Sequence, residues 1–380
     1  MDIKSQHPDS VLFFRMGDFY EQFHEDAVVT SEILGLSLTS RDKKASEPIP
    51  MAGFPWHALE DNLRNMLQSG FKVCVAEQED SLRPGAKLLE RVVTRVYTPG
   101  SLYEESLIGV DDVASLAAIC VRGQGLGLAI LDASTGYVWT VEHHGEEMWS
   151  RLLDDLLRSS PKELVFSPKD ADREEVRIIL AQLDNVTLSQ HSASRKKGEA
   201  ALKKVLEVAD LGHIDLGDSP LAMDAAGLAS DYIASMHIVD SVDVREIEII
   251  RPDGNMILDQ TTLRNLELTQ TLSGEKEGSL LGSIDFCKTS MGRRKLRDWL
   301  LRPLAKKSEI ECRQDAVASL ARSSRRMSEL RQALNGLRDM ERLATQLSYN
   351  RSSGRDLVAI ALALERMPKI KSLCNQVDDY

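Results

Sequence analysis

The hydrophobic pattern of this chain changes period part-way along, and that change excludes a single uniform architecture. Up to about residue 166, short apolar runs with strand-like spacing are interleaved with helical segments and punctuated by Gly and Pro. From about Val244 one short run, Ile257-Leu258-Asp259, reads as a strand and then gives way to a long tract at helical spacing. A chain of 380 residues also exceeds one ordinary core, so two or three domains are expected. There is no internal repeat and no low-complexity segment.

Residues 1 to about 103 read as a mixed α/β unit. Val11-Leu12-Phe13-Phe14 supplies the buried part of a strand, and Gly17-Asp18 reads as a turn or bulge. His24 to Leu34 has helical spacing, with Gly35 placed to end it. Pro48-Ile49-Pro50-Met51-Ala52-Gly53-Phe54-Pro55 is expected to be a stiff loop with an apolar tip, because its prolines fix φ and lack the N–H donor. His57 to Gln68 reads as a helix. Lys72 to Ala76 and Val92 to Thr98 read as strands, the second stopped by Pro99-Gly100.

Residues 104 to about 243 form a second unit. Ala114 to Val121, Leu126 to Leu131 and Tyr137 to Val141 read as an antiparallel meander joined by Gly-containing turns. A helix over Glu146 to Arg158 and a strand over Glu163 to Phe166 follow, and the mixture resembles an RNase H-like fold. Lys196 to Gly212 and Leu221 to Met236 look helical. In the third unit, Thr289 or Ser290 is placed to cap a helix ending before Pro303. Ser308-x-x-Glu311 reads as a capping box opening the next helix, and Leu330 to Tyr349 and Asp356 to Met367 continue the pattern.

The negative findings narrow the chemistry. No run of eighteen apolar residues spans a membrane, and the N-terminus has no signal-peptide core, so a cytosolic protein is expected. Cys74, Cys120, Cys287, Cys312 and Cys374 are scattered and odd in number, which favours reduced, mostly buried thiols over disulfides or a zinc site. There is no G-x-x-x-x-G-K-[ST] phosphate loop, no H-E-x-x-H and no G-x-S-x-G. Asp132, at a strand end, is the best lone catalytic candidate of an RNase H-like nuclease. Its setting, Asp132-Ala133-Ser134-Thr135-Gly136, reads more simply as a hairpin turn. The formal charge of −12 alone opposes a nucleic-acid partner. Residues 288–342, however, carry 15 Lys/Arg against 7 Asp/Glu, either solvated helix faces or a local basic patch.

Arg15-Met16-Gly17-Asp18-Phe19-Tyr20-Glu21-Gln22-Phe23 is the most informative short run. In an extended backbone Phe19 and Glu21 point to the same side, a flat apolar wedge beside a hydrogen-bond acceptor. Such a pair suits testing whether a stacked base can be pried loose. A Phe in an apolar neighbourhood is also ordinarily core, and a Glu two residues on ordinarily solvated. On these residues alone both readings stand.

Gly17-Asp18-Phe19-Tyr20-Glu21-x-Phe23 resembles the mismatch-recognition motif of the MutS family of bacterial DNA mismatch repair proteins. Glu47-Pro48-Ile49-Pro50-Met51-Ala52-Gly53-x-Pro55-x-His57 resembles the family's second loop motif, and Arg95-Val96-x-Thr98-Pro99-Gly100 the end of its first domain. Asn265-Leu266-Glu267-Leu268 and Ser290-Met291-Gly292-Arg293-Arg294-x-Leu296-x-x-Trp299-Leu300 resemble the start of its helical core.

The resemblance implies a mismatch-binding domain over 1–103, an RNase H-like connector over 104–243 and the first part of the helical lever/core domain over 244–380. It implies that Phe19 enters the minor groove beside a mispaired or unpaired base and that Glu21 hydrogen-bonds the displaced base. Arg41, Pro50, Met51 and Arg91 sit where family members approach the DNA groove or backbone. Double-stranded DNA with mismatches or small loops, a second copy of the chain in a homodimer, and the repair partner MutL at the connector are the implied partners. The implied setting is the bacterial cytosol, at the nucleoid. ATP and Mg²⁺ are implied only for an ATPase domain beyond residue 380, so this chain is not expected to hydrolyse ATP. The alternatives are the nuclease above and a repair scaffold that does not read DNA.

Overall fold

The computed structural model describes residues 2–40, 48–78, 91–102, 113, 115–183, 185–206, 219–236, 246–250, 254–349 and 352–375. The first sheet contains β1 (Ser10–Met16), β2 (Phe19–Phe23), β3 (Thr39–Ser40), β4 (Pro50–Pro55), β5 (Lys72–Gln78) and β6 (Arg91–Tyr97). Its order is β3-β4-β2-β1-β5-β6, with only the β1–β5 pair parallel. The first three helices are α1 (Asp2–Gln6), α2 (Glu25–Leu34) and α3 (Leu59–Gln68). Phe13, Tyr20, Phe54, Val73 and Val75 from the strands pack with Leu63 and Met66 of α3 and Val29 and Ile33 of α2. Helix α2 stops at Gly35, whose φ of 67° is a left-handed conformation that glycine adopts without strain.

The expected loop at 48–55 is instead a strand, β4, set between β3 and β2. The prolines do not prevent this, because Pro50 and Pro55 occupy its first and last positions and the N–H groups of Met51 to Phe54 remain. The neighbouring β3 is only two residues long, so β4 is almost an edge strand.

The second sheet begins with the expected antiparallel meander of β7 (Ser115–Arg122), β8 (Gly125–Asp132) and β9 (Tyr137–His144). Strand β10 (Glu163–Phe166) lies parallel to β7, β11 (Thr187–Gln190) parallel to β10, and β12 (Glu246–Ile249) parallel to β9. Strand β12 follows the junction expected at 243, yet it completes this sheet's edge. One face is covered by α4 (Met148–Ser159), α5 (Pro168–Ala171) and α6 (Glu174–Leu180), the other by α7 (Arg195–Val205) and α8 (Pro220–Met236). Covered on both faces, β8 is buried along its whole length. A β-carbon at Gly127 would lie 2.0 Å from the carbonyl oxygen of Leu221, so α8 can cross the strand only over a glycine. The expected helix over 196–212 ends at Val205, and 207–218 lie outside the described residues.

The remaining tract folds as α9 (Gln260–Asn265), α10 (Leu280–Ile284), α11 (Ser290–Leu301), α12 (Lys307–Ala321), α13 (Ser324–Leu334), α14 (Met340–Ser348) and α15 (Gly354–Asn375). Ile257-Leu258-Asp259 is not a strand. The Asp259 side chain accepts from Thr262 N at 2.7 Å and caps α9. Thr289 caps α11 as expected, accepting from Gly292 N at 3.1 Å. Ser308 does not cap α12, which begins one residue earlier. The helix expected over 330–349 breaks at 335–339, where Gly336 has φ 72° and Asp339 caps α14. Among the described residues no helix is long and apolar enough to cross a membrane. All five cysteines are free; Cys74 is buried, whereas Cys312 and Cys374 are exposed, against the expectation of mostly buried thiols.

Candidate nucleic-acid interface

Gly17, with φ 61°, and Asp18 form a two-residue turn that folds β2 back on β1, in the glycine-first manner of primed hairpin turns. The register Met16 to Phe19 and Phe14 to Glu21 then fixes which side chains face out. Tyr20 and Gln22 turn into the buried face. Phe19, Glu21 and Phe23 turn the other way, and Phe19 is 47% exposed. The neighbouring strand sets Pro55 beside Phe19, Gly53 beside Glu21 and Met51 beside Phe23.

Gly53 matters because it has no side chain. A β-carbon there would stand 3.6 Å from Glu21 Cγ and 3.1 Å from the Tyr20 carbonyl oxygen. The surface next to the Glu21 carboxylate is therefore bare. Its partner across the ladder is not legible in the sequence, because the prolines of 48–55 point to a loop.

Two further residues frame this end of the sheet. Trp56 donates its backbone N–H to the Asp18 carbonyl at 2.8 Å and is itself 51% exposed. The Arg15 guanidinium rests 5.2 Å from the Trp56 ring and 5.3 Å from the Tyr20 ring. Below it the Tyr20 hydroxyl donates to Glu77. Burial, and then the Glu77 charge, push the Tyr20 hydroxyl upward, so it stays a neutral donor.

The sequence-derived candidates do not all come together. Phe19, Glu21 and Met51 share one face. Pro50 is one residue out of step with Met51, and its carbonyl accepts from His24 N at 3.0 Å. The Arg91 backbone pairs with Gln78, level with Met16 and Phe19, but three strands from β2, about 14 Å at the usual strand spacing. Arg41 lies outside the described residues. Asp132 sits in the other sheet, 7% exposed, where it accepts from Ser134 N at 2.9 Å and Ser134 Oγ at 2.7 Å. It holds a hairpin turn, and among the described residues no group of three or more His, Cys, Asp or Glu is placed to hold a metal ion. In the basic tract, Arg294, Arg302, Lys307 and Arg325 each pair with a nearby carboxylate, which agrees with ordinary helix faces.

Models of MutS domain I, domain II and domain III match residues 1–106, 114–238 and 261–379 in turn. The chain belongs to the MutS family. It is 38% identical over 372 residues to the DNA mismatch repair protein MutS of Anaeromyxobacter dehalogenans (strain 2CP-C), covering 97% of this chain and 41% of that protein. The corresponding figures are 38% over 375 residues, 97% and 42%, for the Myxococcus xanthus (strain DK1622) protein. For the Symbiobacterium thermophilum protein they are 36% over 376 residues, 98% and 43%. The chain thus spans about two-fifths of the length of these relatives. Two sheets with flanking helices followed by a helical tract fit three consecutive MutS domains, and the exposed Phe19 hairpin lies in the part matched by domain I.

Proposed function

We propose that this chain reads mispaired or unpaired bases in duplex DNA, with Phe19 as the wedge and Glu21 as the group that hydrogen-bonds the displaced base. The observation that carries this reading is the exposed Phe19 ring on the same face as Glu21, at the turn end of the MutS domain I sheet. An apolar wedge in the minor groove must open a base step and kink the duplex. Opening costs a few kcal/mol, least where pairing is already faulty. Stacking on an aromatic ring returns about 1–3 kcal/mol. The terms are comparable, so a paired step resists entry and a mismatch admits it. Because deformability is what is read, one wedge serves many mismatches.

Met51, beside Phe23 on the same face, approaches the groove. Arg91, at the same end of the sheet, and Arg41 and Pro50 approach the backbone. The carboxylate is the selective element. Near phosphates it is desolvated and repelled, and it recovers that cost only from a donor on a base. Residues 1–103, 104–243 and 244–380 then act as mismatch-binding, connector and lever segments. An order of three antiparallel strands followed by two parallel ones supports an RNase H-like connector without nuclease chemistry, and that unit is where MutL docks. In the whole protein two copies clamp DNA, and reading is coupled to ATP hydrolysis in a further domain.

The test compares a duplex carrying one G·T pair with its fully paired twin. The chain binds the mismatched duplex more tightly, and affinity for both falls with salt. Replacing Glu21 with Ala brings the two affinities within about a factor of three, by lowering mismatch affinity roughly tenfold, the scale of one hydrogen bond to a charged group. Equal affinities for the unaltered chain would overturn the reading.

A further inference from the structure

We propose that Glu163 is a positioning residue for base reading: its buried carboxylate pins the 98–101 loop at the end of the first unit to the second sheet, so that the Phe19 hairpin and that sheet move as one body. This rests on the role of Phe19 proposed above.

Glu163 opens β10 and is fully buried. Its Oε2 accepts from Thr98 Oγ1 at 2.5 Å and from Gly100 N at 3.3 Å. Its Oε1 accepts from Ser189 Oγ on β11 and from the Tyr232 hydroxyl on α8. A carboxylate offers about four lone-pair sites, and here all four are filled by neutral donors. Two of those donors come from the first unit and two from the second. Such a group, once satisfied, is costly to disturb, because losing a donor leaves charge poorly solvated in a low-dielectric interior.

The loop is pressed hard onto this carboxylate. A β-carbon at Gly100 would lie 2.7 Å from Glu163 Cβ and 2.9 Å from Leu116 Cβ. Thr98 and Ser101 are fully buried, joined by a hydroxyl–hydroxyl bond of 2.8 Å. Arg95, 3% exposed, donates to the Ser101 carbonyl at 3.3 Å and lies 4.2 Å over the Tyr97 ring. The loop is therefore continuous with β6, and β6, β5, β1 and β2 are consecutive neighbours in one sheet, with Phe19 the first residue of β2. A second bond, from Thr187 Oγ1 to the Gly70 carbonyl at 2.9 Å, attaches the same two units elsewhere. Two separated attachments resist rotation where one would act as a hinge.

Rigid attachment affects selectivity, and not merely folding. A wedge that pivots must be ordered during insertion, and that entropy is charged to the mismatched complex alone. Binding to paired DNA, which depends on phosphate contacts, loses little.

The experiment uses Thr98→Val, Thr98→Ser and Glu163→Gln in the full chain. Dyes are placed at Asp61→Cys on α3 and Glu146→Cys ahead of α4, with Cys287, Cys312 and Cys374 replaced by Ser. Cys74 is fully buried, and burial pushes the Cys74 and half-buried Cys120 thiols up to about 12, so both label slowly beside the exposed introduced cysteines. The parent should give one narrow inter-dye distance distribution. Thr98→Val and Glu163→Gln should broaden it and lower affinity for the G·T duplex roughly tenfold, the scale of one hydrogen bond to a charged group, with paired-duplex affinity within twofold. Thr98→Ser should restore both. An unchanged distribution and an unchanged affinity ratio in Thr98→Val would overturn the pin, whether or not Glu163→Gln folds. If Phe19→Ala leaves selectivity intact, the wedge reading fails, and the distance distribution still decides the pin.

Discussion

Replacing Phe19 with Ala should abolish the preference for mismatched DNA while leaving binding to paired DNA nearly unchanged. Phe19 is 47% exposed and sits at the head of β2, so little core packing is lost on truncation. Its removal should cost the mismatched complex about 2–3 kcal/mol, the upper part of the range for stacking an aromatic side chain on a base, or roughly thirty- to a hundred-and-fifty-fold in affinity. The paired duplex never admits the ring and has nothing to lose. Titration of labelled duplexes, with and without one G·T pair, reads both numbers directly. Circular dichroism melting of the variant should coincide with that of the parent. A parallel loss on both duplexes would mean that Phe19 serves general DNA affinity, and no loss on either would mean that it does not touch DNA.

The hairpin was legible because its signals are local. Gly17-Asp18 marks the turn, and in an extended backbone residues two apart share a side, which sets Phe19 beside Glu21. The same holds for Gly35 at the end of α2 and for the β7–β9 meander. Strand β4 is hidden in the sequence because its prolines mark a loop by their presence, whereas their position decides the cost; at strand ends the missing N–H costs the ladder little. Strands β11 and β12, four residues each, have too short a pattern to identify them, and tertiary pairing with β10 and β9 makes them strands. Ser308 satisfied a capping pattern, but α12 begins ahead of it. Least visible was the Glu163 cluster. Its donors come from positions 98, 100, 189 and 232, and no periodicity reports a contact over such separations.

The helical tract depends on a different carboxylate, and Asp339→Ala should destabilise it by about 3–5 kcal/mol, the usual result of breaking one side of a buried ion pair. Asp339 is 7% exposed and accepts from both Arg294 Nη1 at 2.5 Å and Nη2 at 2.9 Å, tying α11 to the start of α14. Ser290 Oγ adds a bond of 2.9 Å and Arg342 N, the cap contact, one of 3.2 Å. The Ala variant thus loses a helix cap as well as a charge partner, although Glu341 still pairs with Arg294 and keeps the loss near the lower figure. Few apolar side chains in this tract are buried, and Val317, Leu357, Val358 and Leu364 are more than half exposed or close to it, so this polar lock bears an unusual share of its cohesion. Burial alone would push Asp339 upward. The Arg294 hydrogen bonds and charge outweigh that and hold it below the usual carboxylate value. A carboxylate depressed in the folded state contributes stability that is complete above its unfolded pKa and disappears as pH falls through the folded one. Urea unfolding at pH 7 should therefore separate the parent from Asp339→Asn clearly, and the gap should shrink as the pH drops below about 4, where free aspartate takes up its proton. A gap that stays constant down to pH 3 would assign the loss to the cap geometry and not to the Arg294 pair.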